Sequence, residues 1–150
     1  VDKRTDRIEF ETMLLGRHTH MRTGGNRTQT GLERSAYTLL SRLQMEGAMS
    51  IGQLSETFDL DVSTLNRQTA ALTKAGLAER IPDPEGGIAR KFRLTPEGAA
   101  RLEDARSTSI RGLDEVLADW TPEDVAAFAG YLRRFNTDIE RLGGRAWPRP

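Results

Sequence analysis

The chain has 150 residues, 37% of them hydrophobic, enough for one ordinary core or for a small domain plus an interface. Its 22 Lys and Arg balance 22 Asp and Glu, so no global field draws it to a polyanion, and any nucleic-acid binding must come from local clustering. The absence of cysteine excludes a disulfide framework, a thiolate nucleophile, Cys-ligated zinc and a thiol redox switch. No run approaches the ~18 apolar residues of a membrane span, and VDKRTDRIEFE lacks the apolar core of a signal peptide, so a soluble cytoplasmic protein without membrane partners is expected.

In chain order, a moderately amphipathic helix is expected from about Asp6 to Arg22, with Phe10, Met13, Leu14 and Met21 at helical spacing. Thr23 to Gly31, TGGNRTQTG, reads as a loop. Thr30 and Glu33 have capping-box spacing for the next helix, in which Leu32, Ala36, Leu39, Leu40 and Leu43 repeat at three and four and which Gly47 ends. Ser50 and Gln53 repeat the capping-box signal, and Ile51, Leu54, Ser55 and Phe58 form a narrow stripe to bury. Asp59 and Leu60 break that pattern, with Leu60 expected to plug a corner and Asp61 to cap the following helix.

This second helix, about Val62 to Ala75, turns Val62, Leu65, Thr69 and Leu72 to one side, and Gly76 ends it in the left-handed conformation. Its other side carries Ser63, Thr64, Asn66, Arg67 and Lys74. In a major groove Arg pairs with guanine, Asn with adenine, and Ser or Thr with bases or phosphates, so the set suits double-stranded DNA. A polar face is also what any solvated helix shows. The discriminating detail is charge sign, because no acidic residue occurs from Ser63 to Lys74 in a chain that is neutral overall.

Two short β runs, around Leu77 to Ile81 and Lys91 to Leu94, flank the turn-rich PDPEGG and are expected to pair as a hairpin. Phe92 and Leu94 alternate with Lys91 and Arg93, so one strand face is apolar and the other cationic. A basic hairpin behind a recognition helix is the wing of a winged helix-turn-helix, whose tip can follow phosphates or enter a minor groove. Thr95-Pro96-Glu97 then opens a helix to about Leu117, and Thr121-Pro122-Glu123 opens the last one. Val125, Phe128, Ala129, Leu132, Phe135, Ile139 and Leu142 make that last stripe the longest in the chain, and the tail GGRAWPRP is expected to fray.

The expected fold is therefore mainly α (α+β): a winged helix-turn-helix domain with a two-stranded wing over 32–98, plus N- and C-terminal helices over 1–31 and 99–150. The outer stripes need covering, and burial against a second copy would give a homodimeric dimerisation region. Two recognition helices spaced by about one turn of DNA (~34 Å) would then read a pseudo-palindrome. Closure of the same stripes into an intramolecular bundle is the competing arrangement.

The order of elements, and particularly LERSAYTLLSRL, LDVSTLNRQTAALTKAGLAER, IPDPEGGIARKFRLTPEG and the final helix, resembles the multiple antibiotic resistance regulator (MarR) family of bacterial transcription factors, from about Ile8 to Leu142. The resemblance implies a homodimer with interlocking terminal helices, operator binding through winged domains, and release by a small, often aromatic, molecule held in a crevice between the two regions. By position it directs Ser63, Thr64, Asn66 and Arg67 to the major groove and asks the wing for a minor-groove cation. Family wings commonly carry Asp-Arg-Arg at the tip, where this chain has Gly86, Gly87 and Ile88. Arg90 is the substitute, with Lys91 beside it, although Arg90 reads equally well as a solvated charge at a strand end. The family picture also sets the end of the first helix near the effector crevice, which makes Arg17, His18, His20 and Tyr37 candidate contacts for an anionic or aromatic effector.

Other chemistry finds little support. His18 and His20 point about 200° apart on a helix and cannot chelate one metal while helical. No serine lies in a nucleophile-elbow setting and no Gly-rich loop leads to a Lys in phosphate-binding order, so neither an enzyme nor a cofactor is expected. Two readings remain: a ligand-responsive, homodimeric DNA-binding repressor, and a winged-helix protein-interaction module that no longer binds DNA, the latter motivated by the altered wing and zero net charge.

Overall fold

The computed structural model describes residues 3–22 and 32–150, excluding the side chains of residues 19–22. The element order is α1 (Thr5–Arg22), α2 (Arg34–Glu46), β1 (Met49–Ser50), α3 (Ile51–Phe58), α4 (Val62–Lys74), β2 (Ala78–Ile81), β3 (Lys91–Leu94), α5 (Pro96–Val116) and α6 (Pro122–Gly143). The loop expected over 23–31 lies outside the described residues.

Helix starts follow the local chemistry in three places. Ser50 accepts from the Gln53 N–H at 3.1 Å while the Gln53 side chain accepts from the Ser50 N–H at 2.9 Å, a complete capping box for α3. Thr95 and Thr121 cap α5 and α6 through the N–H groups of Gly98 and Asp124, each with Pro at the next position. The start of α2 differs from expectation. Glu33 occupies the N-cap itself and makes no side-chain cap bond, and Thr30 of the expected box lies outside the described residues. Asp61 likewise sits at the N-cap of α4 without a side-chain cap bond, leaving its charge to act only through the helix dipole.

The core belongs to the middle of the chain. Leu39, Leu40 and Leu43 of α2 meet Leu54 of α3, Leu65 and Leu72 of α4, and Ala78 of β2, with Leu102 and Ala105 of α5 closing the far side. Thr69 is buried in this core at no polar cost, because its hydroxyl donates to the Leu65 carbonyl at 2.7 Å. Val62 and Leu60, expected inside, are half-exposed. The corner between α3 and α4 is held instead by a polar bond, the Ser55 hydroxyl donating to the Leu60 carbonyl at 2.6 Å. Asp59 turns that corner in the left-handed conformation (φ 53°), which short polar side chains tolerate better than most.

The hairpin pairs as expected, Ala78 opposite Leu94 and Ile81 opposite Lys91. Beyond the expected pair there is a third strand: β1 adds to β3 with Met49 opposite Phe92, giving the antiparallel order β1-β3-β2. The short strand carries the chain from α2 into α3 and ties the wing to the helices.

The outer helices leave their stripes uncovered within one chain. Ile110, Leu113 and Val116 of α5, and Phe128, Tyr131, Leu132, Phe135, Ile139 and Leu142 of α6, are all exposed, as are Ile8, Phe10, Met13 and Leu15 of α1. The tail does not fray as expected. Arg149 Nη1 binds the Glu140 carboxylate at 2.9 Å, and Trp147 packs edge-to-face on Phe58 with ring centroids 5.5 Å apart, so residues 145–150 fold back from α6 onto α3.

Candidate nucleic-acid interface

The face of α4 turned away from the core is built by the same 3.6-residue period that buries the other face. With Leu65, Thr69 and Leu72 inward, Ser63, Asn66, Arg67 and Lys74 are exposed, together with Val62, Ala70, Ala71 and Thr73, while Thr64 is half-buried. Four of the five sequence-predicted α4 groups are therefore solvent-facing, with no carboxylate between them. Lys74, in the last turn, also complements the negative end of the helix dipole.

The lower end of α4 is fixed by the segment Leu94-Thr95-Pro96-Glu97-Gly98. Gly76 takes φ +77° just past the helix, and its carbonyl accepts the Thr95 hydroxyl at 2.7 Å. The Leu77 carbonyl accepts the Thr95 N–H at 3.2 Å and lies so close to Gly98 that a Cβ there would overlap it. One threonine thus caps α5 and clamps the end of α4. Orientation of the outer face of α4 is in this way coupled to the helix that follows the hairpin.

Between α4 and the base of the wing runs a groove of about 390 Å³ lined by Asn66, Thr69, Ala70, Thr73, Lys74, Arg80 and Phe92. Arg80, exposed on β2, stands over the Phe92 ring with its guanidinium carbon 5.5 Å from the centroid. Arg80 was missed from sequence. The signal available for it was the strand alternation, which puts Arg80 opposite Phe92 in the ladder and so beside α4.

The wing separates the two cations expected to act together. Arg90 is exposed in the turn before β3. Lys91 is not free for a phosphate: its ammonium lies 3.5 Å from the Asp83 carboxylate, both side chains only 14% exposed. Asp83 also accepts the Glu85 N–H at 2.9 Å, and its carbonyl accepts the Gly86 N–H at 3.0 Å, where Gly86 has φ +85°. The Glu85 N–H, followed by the Lys91 charge and against partial desolvation, holds the Asp83 carboxyl below its ordinary range. Beyond this braced turn Ile88 is fully exposed at the wing tip.

The candidate effector contacts are less gathered. Arg17 and His18 are exposed on α1, Tyr37 is half-buried against the core from α2, and the His20 side chain lies outside the described residues. No group of three or more His, Cys, Asp or Glu fit to hold a metal occurs among the described residues, and no described helix is long and apolar enough to cross a membrane.

A two-helix corner presenting an acid-free second helix, followed by a hairpin whose sheet is completed by a short strand before the corner, defines a winged helix-turn-helix. Comparisons place it further. The model of the MarR family matches residues 30–87. The chain is 34% identical over 130 residues to the uncharacterised HTH-type transcriptional regulator YxaD of Bacillus subtilis (strain 168), covering 86% of this chain and 90% of that one. Among solved structures, a MarR family protein from Bacillus stearothermophilus superposes with a TM-score of 0.79 at 22% identity, over 93% of this chain and 98% of that one. The PcaV transcriptional regulator from Streptomyces coelicolor, solved in complex with its natural ligand, gives a TM-score of 0.63 at 24% identity, over 91% and 95%. The chain belongs to the MarR family, a family of transcriptional regulators and not of enzymes.

Proposed function

We propose that the protein is a homodimeric repressor that reads a pseudo-palindromic operator with α4 and releases it when a small aromatic or anionic effector binds. The observation that carries this reading is the exposed, carboxylate-free face of Ser63, Asn66, Arg67 and Lys74 with Arg80 beside it. In a protein of zero net charge that face is the local cationic cluster an operator requires. Asn66 and Arg67 read base edges, Ser63 and Thr64 bind bases or phosphates, and Lys74 and Arg80 meet the backbone. Arg90 supplies the wing contact, and Lys91 braces the wing through Asp83.

Residues 32–98 form the reading domain, and the helices over 1–31 and 99–150 form the dimerisation region. Uncovered stripes on α1, α5 and α6 support a second copy as their cover, since monomers rarely expose contiguous apolar patches of that size. The effector is placed at the end of α1 against α2, with Arg17, His18, His20 and Tyr37 as its contacts. A ligand-bound relative of the same fold supports ligand responsiveness.

Gel-shift assays with the duplex upstream of the protein's own gene test this reading. Tight, salt-sensitive, sequence-selective binding by a dimer, weakened by an aromatic carboxylate such as benzoate, is the expected result. The fully exposed Ile88 at a wing tip without a cation favours one alternative, a protein-interaction module. Absence of binding even at low salt would support that alternative over the regulator.

A further inference from the structure

The C-terminal tail makes contacts that the regulator reading does not use. From Gly144, whose φ of +72° turns the chain at the end of α6, residues 145–150 cross to the helix-turn-helix corner. Arg145 pairs with Asp59, the left-handed residue of that corner, at 3.4 Å. Trp147 lies against Phe58, the last residue of α3, and its ring faces the guanidinium of Arg42 on α2 at 4.6 Å. The tail is pinned at its other side to α6, where the Glu140 carboxylate accepts the Trp147 N–H at 3.1 Å and both terminal nitrogens of Arg149.

Arg42 determines how firmly this closure holds. Its side chain is 9% exposed, and Nη2 donates to Glu46 Oε1 at 2.9 Å. Among the described residues Nε and Nη1 are buried without a hydrogen-bond partner. The indole face offsets part of that loss, as a cation over an aromatic ring is attracted to it, but lifting the tail would open the guanidinium and its two unpartnered nitrogens toward water. An exposed ion pair, a part-buried one, the Trp147 N–H bond and one contact between rings thus work against the desolvation of a buried cation. Such a balance gives a contact that forms and opens, not a permanent weld.

We propose that residues 145–150 are a releasable strap that couples α6 to the α3–α4 corner, holding α3 in place while docked and loosening it when lifted. This rests on the regulator reading only for its consequence, that strap release weakens duplex binding by freeing the recognition unit from α6.

The test uses the full chain. In a Trp120→Phe background Trp147 is the sole tryptophan, and its quenching by acrylamide reports docking. Amide hydrogen exchange over residues 51–61 reports the corner, with residues 39–43 of the core as the internal control. Quenching is expected to be at least ~3-fold slower in the parent than in Arg149→Ala, and exchange over 51–61 about tenfold faster in Trp147→Ala with 39–43 unchanged, the signature of local opening. Equal quenching in parent and Arg149→Ala overturns docking. Exchange over 51–61 that does not move, or that accelerates only together with 39–43, overturns the coupling. If no variant binds duplex DNA the regulator reading fails, while the exchange result still decides the strap.

Discussion

Arg67 and Arg90 carry the same charge but ask different things of a duplex. Arg67 is exposed near the middle of α4, where a guanidinium can meet a guanine edge with two bonds. Arg67→Ala is expected to cost ~1 to 3 kcal/mol of operator binding and to relax base preference at one position. Arg90, exposed in the wing turn, is proposed to meet only the backbone, so Arg90→Ala should weaken all sequences about equally and lower the salt slope by ~1. Titrations of both variants against operator and scrambled duplex at several salt concentrations separate the roles, and identical salt and sequence responses would refute them. Asp83 is a different kind of residue, one whose contacts lie within the wing itself. Its folded-state pKa is depressed, so its contribution to wing order is complete above the ordinary Asp value of ~3.9 and is lost as pH falls through the lower folded-state value. The Gly86 and Gly87 amide resonances should shift in that acid window in the parent, and an Asp83→Asn variant should lose the step. A parent wing that stays unchanged throughout the window would contradict the brace.

At the scale of elements, Gly98 shows why the sequence LTPEG sits where it does. A Cβ at Gly98 would overlap the Leu77 carbonyl, whereas one at Gly52, in the first turn of α3, meets nothing closer than the Ser50 hydroxyl at 3.9 Å. Gly98→Ala is therefore expected to destabilise by about 1 to 3 kcal/mol. Gly52→Ala should instead stabilise by roughly 0.5 to 1 kcal/mol through helix entropy. Urea unfolding of the two variants checks the pair, and equal midpoints would remove the proposed clamp between α4 and α5. These elements were legible where a short-range rule writes them: Ser50 with Gln53, the two Thr-Pro starts, the turn in PDPEGG and the period of α4 all act within a few residues. What was not legible depends on distant partners. β1 is two residues long, too short for alternation to register, and exists because Phe92 offers it an edge. Leu60 and Val62 look apolar enough to bury, but the Ser55 hydroxyl closes the corner and leaves them half-exposed. Lys91 and Arg90 are indistinguishable in sequence, and only the fold brings Asp83 to one of them. The tail, rich in Pro and Arg, has the composition of a frayed end, and its docking depends on Phe58 and Arg42, some ninety and a hundred residues earlier.

For the whole molecule the deciding feature is the uncovered apolar surface of α5 and α6. Phe135 and Leu132 lie within it, so Leu132→Glu with Phe135→Glu should convert a dimer to monomers and reduce operator affinity steeply, because a single winged domain loses the linkage that makes its second half-site contact intramolecular. Sedimentation velocity on the double variant checks this, and an unchanged dimer would move the interface elsewhere. In the proposed dimer both α4 faces point the same way at the spacing of one turn of DNA. Spin labels at Ala70, exposed on α4, measure it directly through the distance between the two copies in the dimer. A distribution centred at ~34 Å that narrows when operator is added is expected. Labels that lie against each other, or are buried in the contact between copies, would contradict it.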